Sequence, residues 1–326
     1  MDNIKSLENL TKDKENFYNE LSKIIIGQKN VIDHIFTAIL CKGHILLEGV
    51  PGLGKTLIIK TIADILDLNF SRIQFTPDLM PSDITGSEII SQESKTGDRS
   101  FKFIKGPIFS NIILADEINR TPPKTQSALL EAMQESRVTI GGKTHDIESP
   151  LFVMATQNPI EQEGTYPLPE AQLDRFMFNV IINYPSFNEE LDIVKNNTSN
   201  IKIDLNKIIS RDNLLDYQNL VLNIPISENL INFAVNFVHS TRPNHENSGS
   251  VTKQYINWGA GPRASSYLVM AAKAKAAISN KPSPDMDDMI SVIKPVLRHR
   301  IIPNFNAEAE GIKSDNILDD LLKSVK

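Results

Sequence analysis

The segment GVPGLGKT at residues 49–56 constrains the fold most, because it matches the phosphate-loop pattern G-x-x-x-x-G-K-[ST]. A short strand-like run at 44–47 precedes it and a helical pattern over 55–66 follows it. In that setting, backbone N–H groups and the start of the helix surround phosphate oxygens. Lys55 would meet the β- and γ-phosphates, and the Thr56 hydroxyl would bind Mg²⁺, so ATP and Mg²⁺ are the predicted cofactors. The residues predicted to contact the nucleotide here are Gly49, Pro51, Gly52, Leu53, Gly54, Lys55, Thr56 and Leu57.

Two adjacent acidic residues follow a second apolar run. Residues 112–115 are Ile, Ile, Leu and Ala, and Asp116 and Glu117 come directly after them. The carboxyl ends of parallel strands meet at one edge of a sheet, so both side chains are expected beside the phosphate loop. Asp116 is therefore the predicted metal ligand, and Glu117 is predicted to orient or deprotonate the attacking water.

The order of the apolar runs predicts two domains. Short runs rich in apolar residues occur at 45–47, 70–75, 112–115, 151–155 and 176–182, and most of them are apolar on consecutive residues, which is typical of strands buried on both faces. Helical patterns separate them, so residues 1–185 are predicted to form an α/β domain around a parallel sheet. Beyond Pro185 the strand signal ends, and residues 186–326 are predicted to form an all-helical domain.

Composition and charge argue against several classes of function without excluding a nucleic-acid motor. The net charge of −6 and the sequence pI near 5.6 argue against a nucleic-acid partner. The apolar runs are far shorter than the roughly 20 residues of a membrane span, so no membrane insertion is expected. The N-terminus is polar, without the pattern of a signal peptide, and Cys41 cannot form an intrachain disulfide. A cytoplasmic location is the resulting expectation.

The chain resembles the AAA+ ATPases, and within them the MoxR group of the helix-2-insert clade. The stretch LADEINRTPPKTQSALLEAMQE at 114–135 carries most of this resemblance. Further stretches follow in the family's order: ATQNP at 155–159, LPEAQLDRF at 168–176, GAGPRA at 259–264 and VLRHR at 296–300. The resemblance implies a P-loop NTPase fold, with a three-layer αβα domain followed by an all-helical lid domain.

Several functional residues are implied by the resemblance alone. Asn158 matches the sensor of the γ-phosphate, Arg175 the arginine finger, and Arg263 the second sensor arginine of the lid. All three are implied to act in catalysis. Arg120 either faces the neighbouring subunit or forms a local salt bridge.

The family's adenine-contacting segment corresponds to residues 25–28, which assigns Ile26 and Gly27 to nucleotide binding. A glycine-broken junction between two helices is the competing interpretation of this segment. The lid motif departs from the family pattern at one position, because Gly261 stands where the group usually has serine. The arginine is kept, so this departure concerns local packing of the lid.

Two insertions bear on which kind of substrate the predicted ATPase acts on. Residues 87–105, turning at Gly97, and residues 137–147, turning at Gly141 and Gly142, are predicted hairpins. In ring assemblies of this clade such hairpins face the central pore, and a surface hairpin without a ligand is the alternative. The first segment has four basic residues against three acidic ones, unlike the basic surface of a DNA motor.

The function implied is Mg²⁺-dependent ATP hydrolysis that drives chaperone-like remodelling or maturation of protein clients. By resemblance, the subunits form a homo-oligomer, a hexameric ring, and a partner protein with a von Willebrand factor A domain is implied. An ATPase subunit of a magnesium-chelatase-like complex is the alternative, and a nucleic-acid motor is a third possibility.

Overall fold

The chain alternates strands with helices as far as Ile181 and is then mainly helical. The computed structural model describes residues 2–92, 99–159, 164–198, 203–246 and 248–325. In chain order the helices are α1 (Asp2–Leu21), α2 (Lys29–Leu40), α3 (Lys55–Ile65), α4 (Pro81–Thr85), α5 (Pro123–Glu135), α6 (Glu170–Leu173), α7 (Phe187–Thr198), α8 (Arg211–Asn223), α9 (Glu228–Ser240), α10 (Ser250–Tyr255), α11 (Pro262–Ile278), α12 (Met286–Leu297), α13 (Phe305–Ala309) and α14 (Ser314–Val325). The strands are β1 (Ile45–Glu48), β2 (Phe70–Gln74), β3 (Gly86–Gln92), β4 (Arg99–Lys105), β5 (Ile112–Asp116), β6 (Arg137–Ile140), β7 (Lys143–Asp146), β8 (Phe152–Gln157), β9 (Phe178–Ile181), β10 (Ile256–Trp258) and β11 (Ile302–Pro303).

A parallel sheet with the order β2-β5-β8-β1-β9 forms the central layer. Successive strands are joined through helices, as parallel neighbours require. In β1, β5 and β8 almost every residue is buried, because layers cover both faces of the sheet. The prediction of an α/β domain around a parallel sheet is therefore confirmed.

Two apolar clusters cover the two faces of this sheet. Along β1, Leu46 belongs to one cluster, while Ile45 and Leu47 belong to the other. This division follows from the alternation of side chains along a strand. The smaller cluster packs under α5, and the larger one contains side chains of α1, α2 and α3. The result is the three-layer arrangement that the family resemblance implied.

The larger apolar cluster continues without interruption into the helical lid. It includes Phe17 of α1 together with Leu214 of α8 and Leu268 of α11. The predicted helical lid is confirmed, and it also contains the short antiparallel pair β10–β11. The domain boundary near residue 185 stays a prediction, since α1 and α2 pack against lid helices as well as the sheet. None of the helices in the described ranges combines the length and the hydrophobicity of a membrane span.

Both predicted hairpins are present. Strands β3 and β4 pair antiparallel, as do β6 and β7. Gly141 and Gly142 have φ angles of 57° and 77°, as the two central residues of a hairpin turn with positive φ require. The two hairpins touch, because the Phe103 and His145 rings stack with centroids 4.1 Å apart. The predicted turn at Gly97 lies outside the described residues.

A largely buried histidine in α2 makes the fold sensitive to acid. The His34 ring lies 5.5 Å from the Phe178 ring, and its Nδ1 has no hydrogen-bond partner among the described residues. Burial, with a smaller contribution from the positive charge of Lys275, lowers the pKa of His34 from 6.5 to about 4. Because the folded pKa lies below the unfolded one, the unfolded chain binds more protons between these values. Protonation of His34 therefore does not reduce the free energy of unfolding above about pH 6.5, and it reduces this free energy progressively as the pH decreases towards 4.

We expect His34→Leu to reduce this sensitivity to acid. From the two pKa values, His34 alone removes about 2 kcal/mol of stability at pH 5, and leucine cannot be protonated. The free energy of unfolding would be measured by denaturant titration of wild type and variant at pH 7.5 and pH 5.0. The variant should lose less stability on acidification, whereas between pH 7.5 and 8.5 the two proteins should behave alike. An equal loss in both proteins at pH 5.0 would mean that His34 is not protonated on unfolding.

Candidate active site at the carboxyl edge of the sheet

The strand order places three predicted functional segments at one edge of the sheet. The phosphate loop follows β1, Asp116 ends β5, and Asn158 follows β8, which lies between the other two strands. The backbone N–H of Gly49 donates to the Gln157 carbonyl at 3.3 Å and so fixes the start of the loop against β8. The carboxyl edge is thus the ligand-binding crevice expected of an open parallel sheet.

Glycines shape the phosphate loop for two different reasons. Gly52 and Gly54 have φ angles of 85° and 72°, a left-handed conformation that favours glycine. A Cβ on Gly49 would instead lie 2.1 Å from a methyl carbon of Ile182, so a side chain there would clash. Gly54 is also the N-cap of α3, whose first N–H groups therefore face the loop.

Lys55 folds back over the loop. Its Nζ donates to the Gly49 carbonyl at 2.6 Å. Burial lowers the pKa of Lys55, and the negative charges of Asp116 and Glu117 partly oppose this effect. The lysine and both predicted carboxylates therefore belong to one electrostatic site. The hydroxyl of the next residue, Thr56, has no hydrogen-bond partner among the residues that the structure describes.

Thr156, at the end of β8, connects the two acidic residues. Its hydroxyl donates to Asp116 Oδ1 at 2.6 Å and accepts from the Glu117 backbone N–H at 2.9 Å. The threonine is completely buried, so water does not compete for these bonds. The other carboxylate oxygen of Asp116 accepts from Arg72 of β2, whose Nη2 lies 2.7 Å away. Asp116 is consequently fixed from two neighbouring strands.

Glu117 stands in a left-handed backbone conformation, with φ 59° and ψ 48°. A non-glycine residue adopts it at a cost of about 1–3 kcal/mol, and such residues cluster at functional sites. Its carboxylate accepts from Gln74 Nε2 at 3.1 Å and forms an ion pair with Arg120 Nε at 3.1 Å. The ion pair agrees with the local alternative for Arg120.

An apolar cleft of about 190 Å³ lies beside the phosphate loop. Its lining includes Ile26 and Gln28 before α2, Leu53 and Leu57 of the loop and α3, and Pro185. The structure therefore brings the residue 25–28 segment beside the phosphate loop, and its contact with the nucleotide base stays a prediction.

Gly27 permits the turn in that segment. It has a φ of 71°, and a Cβ there would lie 2.4 Å from the Glu189 carboxylate. Gln28, also left-handed, donates from Nε2 to the Asn183 carbonyl at 2.9 Å and so ties the segment to the chain after β9.

Arg175 and Arg263 lie at the opposite, amino edge of the sheet. Arg175 precedes β9, whose first residue pairs with the first residue of β1, Ile45. Arg263 Nη1 forms an ion pair with Asp174 Oδ2 at 3.0 Å, next to Arg175 in the chain. The structure therefore brings these two arginines near each other and away from the phosphate loop of their own chain.

Comparison with known proteins accounts for both parts of the chain. Residues 44–178 match the family described as ATPase family associated with various cellular activities (AAA), and residues 249–321 match the AAA lid domain. Chaperone MoxR1 of Mycobacterium tuberculosis is 42% identical over 306 residues, which cover 94% of this chain and 80% of that protein. Protein YeaC of Bacillus subtilis is 41% identical over 94% of this chain and 92% of its own. The chain belongs to the MoxR family of AAA ATPases.

A solved structure agrees with this membership. A crystal structure of a Cytophaga hutchinsonii protein assigned as an ATPase superposes with a TM-score of 0.92 at 43% identity, over 99% of this chain and 97% of that one. The predictions of an AAA fold with a lid, of MoxR membership and of ATPase activity are confirmed. This MoxR-family protein therefore binds and hydrolyses ATP, while the roles of individual residues stay predictions.

Sequence reasoning missed the residues that hold the predicted ones in place. Thr156 lies within the ATQNP stretch, which was used only for Asn158. Its signal would have been its position two residues before the sensor, on the strand between β1 and β5. Gln126 of α5 was missed as well: it is fully buried, and its Nε2 donates to the carbonyls of Ile118 and Thr121 in the loop after Glu117.

We expect Thr156→Val to lower ATP turnover while ATP still binds. Valine has a similar shape but no hydroxyl, so Asp116 loses a donor and the Glu117 N–H loses its acceptor. The expected loss is about fivefold to 10²-fold, since an unmet buried partner costs about 1–3 kcal/mol. Phosphate release and binding of a fluorescent ATP analogue would be measured in parallel, with Thr156→Ser as the control that keeps the hydroxyl. Equal turnover in the valine variant and wild type would contradict a positioning role for Thr156.

Proposed function

We propose that this ATPase hydrolyses Mg·ATP at the contacts between identical subunits of a hexameric ring and uses the energy to remodel or mature partner proteins. The observation that carries the proposal is the division of its predicted catalytic residues between the two edges of one sheet. Lys55, Asp116 and Glu117 belong to the carboxyl edge, and Arg175 lies at the amino edge. A second copy is needed to bring the two sets together.

The carboxyl edge supplies what Mg²⁺ and the attacking water require. Thr56 offers a hydroxyl and Asp116 a carboxylate, which are the hard oxygen ligands that Mg²⁺ prefers, and a carboxylate oxygen can accept more than one bond. Among the described residues, no group of three or more His, Cys, Asp or Glu side chains could hold a metal. That agrees with an ion bound through one or two protein oxygens, nucleotide phosphates and water. When bound, Mg²⁺ would neutralise developing phosphate charge.

The protein's own residues would then perform separate tasks. Lys55 would stabilise charge on the β- and γ-phosphates, and Asn158, buried at the end of β8, would orient the γ-phosphate and the water. Glu117, held by Gln74 and Arg120, would take a proton from that water or orient it. The apolar cleft beside Ile26 and Leu57 would hold the base.

The amino edge supports action between subunits. A four-residue strand such as β1 is about 13 Å long, and Arg175 lies a further three residues before β9 at the far end of that length. The Arg175 guanidinium has no hydrogen bond or ion pair among the described residues and lines a polar groove of about 460 Å³. Arg263, paired with Asp174, faces the same edge, so the proposal extends to both arginines acting on the neighbour's nucleotide.

The biological role rests on the relatives. The mycobacterial relative is named a chaperone, which favours protein remodelling over the alternative of a metal-chelatase subunit. We propose a protein client and a partner with a von Willebrand factor A domain. No nucleic-acid partner is proposed, because the net charge is −6.

We expect Glu117→Gln to bind ATP normally and to hydrolyse it at least about 10²-fold more slowly, because the amide cannot accept the proton. ATP affinity and phosphate release would be measured on the same preparation. Asp116 remains available to the metal, so a loss of affinity would contradict the division of roles. Proteins captured by this variant with ATP, but not by Lys55→Ala, would identify the class of client, and chelatase subunits among them would favour the alternative.

Mixed assemblies test the action of Arg175 across an interface. Arg175→Ala lacks the arginine and Lys55→Ala lacks the phosphate-binding lysine, so each alone should lose activity, by about 10³–10⁵-fold for an arginine finger. In mixed rings, an intact loop meets an intact arginine from the next subunit, and part of the activity should return. A mixture that co-assembles and stays inactive would show that Arg175 does not complete a neighbour's site.

A further inference from the structure

The backbone on both sides of Arg175 is hydrogen-bonded by the lid of the same chain. Four consecutive carbonyls, from Asp174 to Met177, each accept a bond from a lid side chain. Tyr267 of α11 donates to the carbonyl of Arg175 itself at 3.4 Å. The remaining three carbonyls accept from Arg300, which follows α12.

Arg300 is nearly completely buried, with 2% of its side chain exposed. Its Nη2 donates to the carbonyls of Asp174 at 2.8 Å and Phe176 at 2.6 Å, and its Nη1 donates to Met177 at 3.3 Å. Its Nε donates to Asp174 Oδ1 at 2.7 Å. The guanidinium therefore contacts the residues on both sides of Arg175. A planar guanidinium with five N–H donors can make all these bonds at once, whereas a lysine ammonium has three donors on one nitrogen.

Other lid contacts strengthen this arrangement. The Arg300 guanidinium lies 5.1 Å from the centroid of the Tyr267 ring, a cation–π contact. His299 Nε2 lies 3.0 Å from the Phe176 carbonyl oxygen. Asp174 binds Arg300 through one carboxylate oxygen and Arg263 through the other, so both lid arginines meet the core at this residue.

The side chain and the backbone of Arg175 differ in their hydrogen bonding. The backbone is fixed on both sides, whereas the guanidinium is half-buried and makes no hydrogen bond within the described part of the chain. A fixed backbone and a guanidinium without a hydrogen bond among the described residues suit an arginine that must reach a phosphate on another molecule. Misplacement by about 1 Å can cost about 10²-fold in rate, so the position of the backbone matters.

We propose that Arg300 is a positioning residue: the lid, through Arg300, sets the place of the arginine that each subunit presents to its neighbour. This proposal rests on the proposed action of Arg175 between subunits. It assigns to the lid of one subunit an effect on hydrolysis in the next subunit.

The test uses Arg300→Lys in the full-length protein. Lysine keeps the charge beside Asp174 but cannot hold three carbonyls and a carboxylate together. We expect ATP affinity to stay within about twofold of wild type and turnover to fall by one to two orders of magnitude, about 10–10²-fold. Thermal melting and sedimentation would confirm that the variant folds and assembles.

Mixing experiments separate positioning from a general structural effect. Arg300→Lys has an intact phosphate loop, so mixing it with Lys55→Ala subunits should restore activity. Mixing it with Arg175→Ala subunits should not, because neither partner then supplies a well-placed arginine. If Lys55→Ala restores Arg175→Ala but not Arg300→Lys, the proposal for Arg300 is wrong and the action of Arg175 across the interface stands. If neither mixture recovers although the subunits co-assemble, both proposals are wrong.

Arg298→Lys is the matched control. Arg298 comes from the same lid segment and donates to the Asn179 carbonyl of β9 at 3.4 Å, but it forms no hydrogen bond or ion pair with residues 174–177. Its main partner is Asp315 within the lid. Recovery of an Arg298→Lys defect by Lys55→Ala would mean that loosening the lid anywhere displaces Arg175, and the assignment to Arg300 would fail.

A second variant covers the case in which Arg300→Lys does not assemble. Tyr267→Phe keeps the ring under the guanidinium and removes only the bond to the Arg175 carbonyl. We expect a several-fold lower turnover that Lys55→Ala subunits restore. If Arg300→Lys does not assemble, unchanged turnover in Tyr267→Phe would decide against positioning of Arg175 by the lid.

Discussion

All strands of the central sheet run in the same direction, and this constraint determines where chemistry can occur in the molecule. The carboxyl ends of β1, β5 and β8 lie together. The phosphate loop, Asp116 and Asn158 are therefore close to one another, because each lies at the end of one of these strands or directly after it. The amino end of β9 lies at the other edge, where Arg175 and Asp174 are found. A strand cannot bend back within four residues, so one chain presents its phosphate site and its arginines in opposite directions. This geometry supports the proposed assembly of several copies.

Within the carboxyl edge, hydrogen bonds between neighbouring strands convert proximity into a defined site. The Thr156 hydroxyl serves the carboxylate of Asp116 and the backbone of Glu117 at once. Glu117 can hold a left-handed backbone conformation because that bond and the fully buried Gln126 stabilise the loop around it. The lid performs the corresponding task at the amino edge, where Arg300 and Tyr267 fix the carbonyls around Arg175. Each edge thus has its own set of supporting contacts, and the continuous apolar core joins them.

The sequence predicted the sheet and the phosphate loop well because both depend on local patterns. Consecutive apolar residues identify strands buried on two faces, and the glycines of residues 49–56 identify the loop. The end of α1 is harder to predict: apolar residues continue at Ile24 and Ile25, but the helix ends at Leu21, and Gly27 and Gln28 with positive φ lead the chain into α2. The pair β10–β11 was missed because its strands are three and two residues long and lie more than forty positions apart in the chain. The contact between Arg300 and Asp174 was missed for a similar reason, because no local sequence pattern indicates a contact between residues 126 positions apart.

We propose that the nucleotide site of each subunit is completed by an arginine of the neighbouring subunit. The most direct test of this proposal is a cryo-electron microscopy structure of the Glu117→Gln variant with ATP and Mg²⁺. We predict a closed ring in which the Arg175 guanidinium of each subunit lies within hydrogen-bond distance, roughly 3 Å, of a γ-phosphate oxygen held by Lys55 of its neighbour. A ring in which Arg175 faces solvent or its own chain, with the neighbour's γ-phosphate completed by other groups, would contradict it.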